Sequence, residues 1–179
     1  MKTRPKKKKN KNVPAKEDFE KAFNYALRLL NLRQRSEKEL NDKFARKGYS
    51  RTLNDKLIRE LKKTNLINDI EFARAWVNTR MLLKPSGVFK LKRELVIKGI
   101  NTEIIETTIE ELKNNYDLKK TAFELAERKK HTLKNKDRQK AKKNIYDYLR
   151  RRGFSGEIIF PVLNKLFKSD DTLDIDENN

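Results

Sequence analysis

The sequence predicts an all-α protein without a sheet, built as an elongated array of three tandem three-helix repeats. The first observation is a glycine-centred segment that occurs three times, at Gly48, Gly99 and Gly153. The copies lie about 50 residues apart, a period that is typical of repeat proteins. The second observation is composition: 36% of the residues are hydrophobic and 40% are charged. This balance favours several small cores over one large core.

Each of the three glycines lies in the same local pattern. A cation precedes it, a bulky apolar residue follows it, and a serine or asparagine comes next. Apolar residues recur on both sides of the glycine at the spacing of amphipathic helices. The glycine can adopt the left-handed backbone that ends a helix, and the serine or asparagine can cap the helix that follows. Each segment is therefore predicted to form helix, tight turn, helix.

Composition divides the chain into five predicted segments. These are a disordered basic arm over 1–15, three-helix repeats over 16–66, 67–116 and 117–168, and a disordered acidic tail over 169–179. The arm is rich in lysine, contains two prolines and has no acidic residue, a composition that cannot form a packed core. It either raises the affinity for phosphates or serves as a solubilising tail.

The first repeat carries signals for three helices. Residues 19–30 have apolar side chains at helical spacing, which predicts the first helix. Ser36 and Glu39 form a capping box, so the second helix is expected to start there. It is predicted to end at Gly48, and the third helix is predicted to follow Ser50, a good capping residue.

The second and third repeats follow the same plan with local differences. Trp76, the single tryptophan, lies among apolar residues at helical spacing, so we expect it in the core rather than as a platform for base stacking. The third repeat has a polar insertion over 129–136. His131 lies within it and is expected to be a surface residue, because no possible partner has the spacing of a metal ligand or a base.

Charge indicates the class of partner. The formal net charge is +19 and the sequence pI is about 10.0, which points to a polyanion such as nucleic acid or a nucleoprotein. The candidate contacts are basic residues near the turns of the first and third repeats. They are Lys43, Arg46, Lys47, Lys140, Lys143, Arg150, Arg151 and Arg152.

The sequence contains no catalytic pattern. It has no phosphate-binding loop of the Walker type, no dinucleotide fingerprint and no paired histidine ligands. The absence of cysteine excludes thiol catalysis and cysteine-based zinc sites. No run approaches the roughly 20 apolar residues of a membrane helix. We therefore predict a protein that is not an enzyme, needs no cofactor or metal and does not enter a membrane.

The order and spacing of these motifs resemble the RecX family of recombinase regulators over about residues 20–168. The basic arm and the acidic tail lie outside the family pattern. The motifs that carry the resemblance are Arg35-Ser36-Glu37, Lys47-Gly48-Tyr49, Leu66-Ile67-Asn68-Asp69, Trp76-Val77, Lys98-Gly99-Ile100 and Leu149-Arg150-Arg151-Arg152-Gly153-Phe154.

The resemblance implies a cytoplasmic bacterial protein that binds the RecA–DNA filament along its groove. Members of the family modulate RecA in DNA repair and the SOS response, usually by inhibition that reduces ATP hydrolysis, strand exchange and repressor cleavage. The expected partners are the RecA filament and single- or double-stranded DNA, bound without regard to sequence. We expect the chain to act as a monomer.

The alternative is a stand-alone helical repeat protein that binds DNA or RNA independently of sequence. Each repeat resembles a helix-turn-helix in plan, with glycine in the turn. A sequence-specific reader would carry Asn, Gln or Arg early in the helix after the turn. Those positions hold Arg51-Thr52, Thr102-Glu103 and Gly156-Glu157, and the first pair alone suits base reading.

Overall fold

The computed structural model describes residues 16–133 and 137–173. All regular structure in these ranges is helical, which confirms the predicted fold class. The predicted basic arm over 1–15 and residues 174–179 of the predicted tail lie outside the described residues, and the last helix continues to Leu173. The helices are α1 (Lys16–Leu32), α2 (Glu37–Arg46), α3 (Arg51–Lys63), α4 (Asp69–Leu83), α5 (Val88–Ile97), α6 (Thr102–Asn115), α7 (Leu118–His131), α8 (Arg138–Arg151) and α9 (Gly156–Leu173).

The three glycine turns have the predicted geometry. Gly48, Gly99 and Gly153 have φ values of +87°, +79° and +86°, in the left-handed region that favours glycine. The apolar residues before each glycine face a core, as the helical spacing predicts. Those with no exposed surface are Leu40, Phe44, Leu91, Leu95, Ile145 and Leu149.

Polar capping residues lie at the start of α2 and α3, where the sequence predicts them. The Ser36 hydroxyl accepts a hydrogen bond from the Glu39 backbone N–H at 3.2 Å, at the start of α2. The Ser50 hydroxyl does the same for Leu53 at 3.2 Å, at the start of α3. Each cap satisfies a backbone donor that has no partner within its helix, which fixes where the helix begins.

The described chain forms two compact units, divided between Asn68 and Asp69. The first unit contains α1, α2 and α3 around one core. Tyr25 and Tyr49 pack edge to face over this core, with ring centroids 6.2 Å apart. The buried residues of this core are Ala22, Ala26, Leu29, Leu40, Phe44, Leu53, Leu57, Ile58, Leu61 and Ile67.

The second unit contains α4 to α9 and joins the second and third repeats. It has two buried clusters, one between α4, α5 and α6 and the other between α7, α8 and α9. Leu118, the first residue of α7, belongs to the cluster of the second repeat. Ile158 of α9 packs against both clusters. The two repeats therefore share apolar contacts and form one body.

Backbone contacts also join these two repeats, at the turn around Gly153. The Gly87 N–H donates to the Arg152 carbonyl at 2.8 Å, and the Phe89 N–H donates to the Gly153 carbonyl at 3.1 Å. A Cβ on Gly87 would lie 2.2 Å from the Gly153 carbonyl oxygen, and one on Gly153 would lie 2.4 Å from the Lys90 backbone nitrogen. Glycine is required at both positions because the two backbones approach so closely. We call this contact the repeat junction.

Candidate nucleic-acid interface

The first group of predicted contacts lies at the C-terminal end of α2. Arg46 and Lys47 are exposed and Lys43 is half-buried. The Lys47 ammonium lies 5.7 Å from the centre of the Tyr25 ring. None of the three forms an ion pair with a carboxylate in the described part of the chain. They form a small basic surface whose charge is not neutralised by the protein itself.

The second group lies on α8, in the other unit. Lys140, Lys143, Arg150 and Arg151 are exposed. The last three lie three, ten and eleven residues after Lys140, and these spacings place all four on one face of the helix. Asp147 lies on the same face and carries the one negative charge of this row. Two basic surfaces therefore exist, one in each unit, and the fold brings four predicted residues together on α8.

Arg152 differs from the exposed Arg150 and Arg151 in its burial and its contacts. It is half-buried, and its guanidinium donates to the Pro85 carbonyl at 3.0 Å. The guanidinium also lies 5.2 Å from the centre of the Tyr148 ring. These contacts hold Arg152 within the repeat junction. Arg152 therefore has contacts within the fold in addition to its predicted contact with nucleic acid.

The second repeat does not carry the basic surface of the first. Alignment on the glycine places Glu94, Ile97 and Lys98 where the first repeat has Lys43, Arg46 and Lys47. The Glu94 carboxylate accepts hydrogen bonds from the Trp76 indole N–H at 2.9 Å and the Arg80 guanidinium at 2.7 Å. Ile97 is 63% exposed. The second repeat thus has the apolar Ile97 at the position that Arg46 has in the first repeat, and alignment of the copies on the glycine reveals this difference.

Trp76 is a half-buried residue that packs against the core of the second repeat. Its ring lies 5.9 Å from the Phe72 ring, nearly parallel to it. The Arg80 guanidinium and the Lys98 ammonium lie 4.6 and 4.4 Å from its centre. These two cations make cation–π contacts with the indole ring. Trp76 thus packs at the edge of the core of the second repeat and is not buried within it, and the choice between packing and base stacking stays a prediction.

Ion pairs elsewhere on the surface belong to the fold rather than to the candidate interface. In the second unit, the Arg74 guanidinium makes two hydrogen bonds to the Glu111 carboxylate, at 2.8 and 2.5 Å. Hydrogen bonding to Arg74 lowers the pKa of Glu111, and the same contact raises the pKa of Arg74. This pair joins α4 to α6 within the second repeat.

The part of the chain that the structure describes shows neither a metal site nor a membrane-spanning helix. No group of three or more His, Asp or Glu side chains there is arranged to hold a metal ion. His131 is exposed at the end of α7, as expected. None of the described helices is long and apolar enough to cross a membrane.

The helices and the two basic surfaces define a basic protein of three-helix repeats. Three family models match the chain, each in one repeat: "RecX, first three-helix domain" over 22–61, "RecX, second three-helix domain" over 68–109 and "RecX, third three-helix domain" over 117–163. Regulatory protein RecX of Chlorobium phaeobacteroides is 39% identical over 152 residues, which cover 85% of this chain and 97% of the relative. The chain belongs to the RecX family.

A solved structure and a second relative agree with this assignment. The crystal structure of RecX from Lactobacillus salivarius superposes with a TM-score of 0.74 at 26% sequence identity, covering 85% of this chain and 98% of that chain. Regulatory protein RecX of Prosthecochloris aestuarii is 34% identical over 149 residues, covering 83% of this chain and 95% of the relative. The resemblance that the sequence motifs indicated is confirmed.

Proposed function

We propose that this chain binds the RecA–DNA filament along its groove and modulates the recombinase by inhibiting it. The observation that carries the proposal is membership of a family whose relatives bear the name regulatory protein RecX. Inhibition would appear as reduced ATP hydrolysis, strand exchange and repressor cleavage. The proposal makes the chain a binding protein that acts without chemistry of its own.

The two basic surfaces supply the contacts that such binding requires. Arg46, Lys47, Arg150 and Arg151 are exposed and form no ion pair with a carboxylate among the described residues. Cations of this kind attract the phosphates of DNA and release its condensed counterions. Basic residues on two units can contact two places on a long polyanion, which favours an assembled filament over a short target.

The test follows ATP hydrolysis and filament length after the full chain is added to RecA filaments preformed on single-stranded DNA. We expect both quantities to fall at micromolar protein. A fourfold charge reversal in the two basic surfaces should weaken the effect at least about tenfold, because several phosphate contacts are lost together. The reversed residues are Arg46, Lys47, Arg150 and Arg151.

The matched control reverses four exposed cations outside both surfaces and therefore changes the net charge equally. The control residues are Lys56, Arg59, Lys119 and Lys120. This variant should keep most of the inhibition. If the unaltered chain changes neither hydrolysis nor filament length, the proposal is wrong. If both variants lose inhibition equally, net charge acts rather than the two surfaces.

Sequence-independent binding of free DNA or RNA is the second candidate function. The net charge of +19 favours it. The helices after the three turns begin with Arg51, Thr102 and Gly156, and this set offers little for reading bases. The affinity of such binding should fall steeply as the salt concentration rises and should not depend on the nucleotide sequence. Equal affinity for bare DNA and for RecA filaments would favour this function over filament regulation.

A further inference from the structure

A cleft of about 320 Å³ lies at the repeat junction. Phe89 and Arg93 of α5 line it on one side, and Tyr146 and Arg150 of α8 line it on the other, with Gly156 at the start of α9. Its volume is at the lower end of the range for small-ligand sites, which starts at about 300 Å³. The candidate basic surface on α8 reaches this cleft through Arg150.

The two arginines give the cleft a positive charge. The Arg150 guanidinium donates to the Tyr146 hydroxyl at 3.1 Å, and neither Arg93 nor Arg150 forms an ion pair with a carboxylate in the described ranges. Two guanidinium groups in one cleft without an acidic partner favour an anion, and guanidinium binds phosphate well. Gly156 places the positive end of the α9 dipole beside them.

Aromatic rings accompany these charges. Phe89 is 61% exposed although it belongs to a helix whose other face is buried. The Tyr146 ring packs against the exposed Phe160 ring, with centroids 5.7 Å apart. Alignment on the glycines places Lys38 and Lys143 at the position of Phe89 in the other repeats. The second repeat therefore places an exposed ring beside this cleft, at a position where the other two repeats have lysine.

Backbone contacts fix the helical turn that carries this ring. The Phe89 N–H donates to the Gly153 carbonyl, and the neighbouring Gly87 N–H donates to the Arg152 carbonyl. The first turn of α5 is thereby tied to the turn that precedes α9. Phe89 and Arg150 consequently lie on elements with a fixed mutual position. A ligand that touches both would meet a largely preformed site, which lowers the entropy cost of binding.

We propose that this cleft binds one nucleotide of a single-stranded nucleic acid, with its phosphate on Arg93 and Arg150 and its base stacked on Phe89. Stacking on an aromatic ring suits any base, in keeping with the lack of base-reading residues. An acidic peptide would use the two arginines but would leave the flat ring of Phe89 without a matching partner. This inference rests on the proposed function in taking a nucleic acid as the partner.

The test measures the full chain with a fluorescein-labelled dT oligonucleotide and with an abasic oligonucleotide of the same length, both single-stranded. We expect the abasic strand to bind about tenfold more weakly, because its phosphates remain but the stacked base is gone. Phe89→Ala should reduce this difference to less than twofold. The side chain of Phe89 is exposed, so its removal should leave the melting temperature unchanged.

Two control variants separate stacking from charge and from general loss of apolar surface. Leu83→Ala removes an exposed apolar side chain of the same repeat that does not line the cleft, and should preserve the tenfold difference. Arg93→Ala should weaken binding of both strands. A second readout is a strand with one 2-aminopurine, whose fluorescence should be quenched by the unaltered chain and not by Phe89→Ala.

Two results would overturn the inference. One is equal affinity of the unaltered chain for the dT and abasic strands. The other is a base-dependent difference that Phe89→Ala leaves intact. The second result would also appear as equal displacement of dT by poly-glutamate from the unaltered chain and from Phe89→Ala, and it would favour an acidic peptide as the occupant of the cleft. The assay contains no RecA, so its outcome is independent of the filament experiment.

Discussion

The turns at Gly48 and Gly153 have almost the same backbone and very different surroundings. Their φ values are +87° and +86°, and each follows a cation that ends a helix. A Cβ on Gly48 would meet no atom of the described residues within 4 Å. A Cβ on Gly153 would meet the Lys90 backbone nitrogen at 2.4 Å. The same local sequence forms a free turn in the first unit and a packed contact in the second.

The difference shows that the local pattern determines the backbone conformation of the turn. A segment distant in sequence determines whether the turn packs against another repeat. The glycine and its cap suffice to end one helix and start the next. The second repeat supplies the segment that packs on Gly153, with a carbonyl at Pro85 for Arg152 and an N–H at Gly87. The first unit has its own turn at Gly48, and none of the residues that the structure describes packs against this glycine. One turn is therefore a local feature and the other is an interface.

The largest effect is expected at the repeat junction. Gly153→Ala adds both a disfavoured backbone and an overlap with the Lys90 backbone, so the free energy of unfolding of the second unit should fall by about 3 kcal/mol or more. Gly87→Ala is the matched variant. Gly87 has an ordinary φ of −77°, so its Cβ tests the overlap alone.

Urea unfolding followed by circular dichroism measures both variants. Gly87→Ala should lose somewhat less stability than Gly153→Ala, because it adds overlap without the cost of positive φ. If Gly87→Ala unfolds at the same urea concentration as the unaltered chain, the two repeats are not held by this backbone contact.

Gly48→Ala should have a smaller effect. The added methyl group has open space, so only the left-handed backbone resists the change, at a cost of about 1 kcal/mol. The measurement is the same urea titration, read on the first unit. A loss as large as that of Gly153→Ala would mean that the surroundings of Gly48 are not open, and the comparison between the two turns would fail.

The smallest effect concerns the Arg74–Glu111 pair of the second unit, which lies outside the repeat junction. The pKa of Glu111 is lowered in the folded chain, so the pair stabilises the fold above the ordinary carboxyl pKa. That contribution is lost as the pH falls through the lowered folded pKa. Glu111→Gln should therefore be slightly less stable than the unaltered chain at pH 7, and the two should converge in acid.

Thermal unfolding across this pH range provides the measurement. Both side chains are partly exposed, so solvent screens the pair and the difference should be smaller than that of Gly48→Ala. A stability difference that grows as the solution is acidified would contradict the assigned direction of the Glu111 pKa.

Much of the fold could be predicted from the sequence because its signals are local. The glycine, the preceding cation and the Ser50 cap lie within a few residues, and apolar spacing defines the helices on either side. The pairing of the second and third repeats could not be predicted in the same way. Gly87 and Gly153 are far apart in sequence, and neither shows by itself that it lies against the other.

The candidate site could be predicted only in part from the sequence, for the same reason. Exposed cations such as Arg46 and Arg151 can be found from charge and helical spacing. The position of Arg152 in the junction depends on Pro85, which belongs to another repeat. Phe89 gives no such signal by itself, because an apolar residue on a predicted helix suggests a core position. Alignment of the three copies, which gives lysine in the other two, is the signal that could have found it.

The most direct measurement of the central claim is co-sedimentation of the full chain with RecA filaments assembled on single-stranded DNA. The reference is the same DNA without RecA, at physiological salt. We predict that the filament retains the chain at least about tenfold more strongly, because bare DNA offers phosphate contacts that salt weakens while the filament adds protein surface. Equal retention by filament and bare DNA would contradict filament recognition and leave nucleic-acid binding as the function.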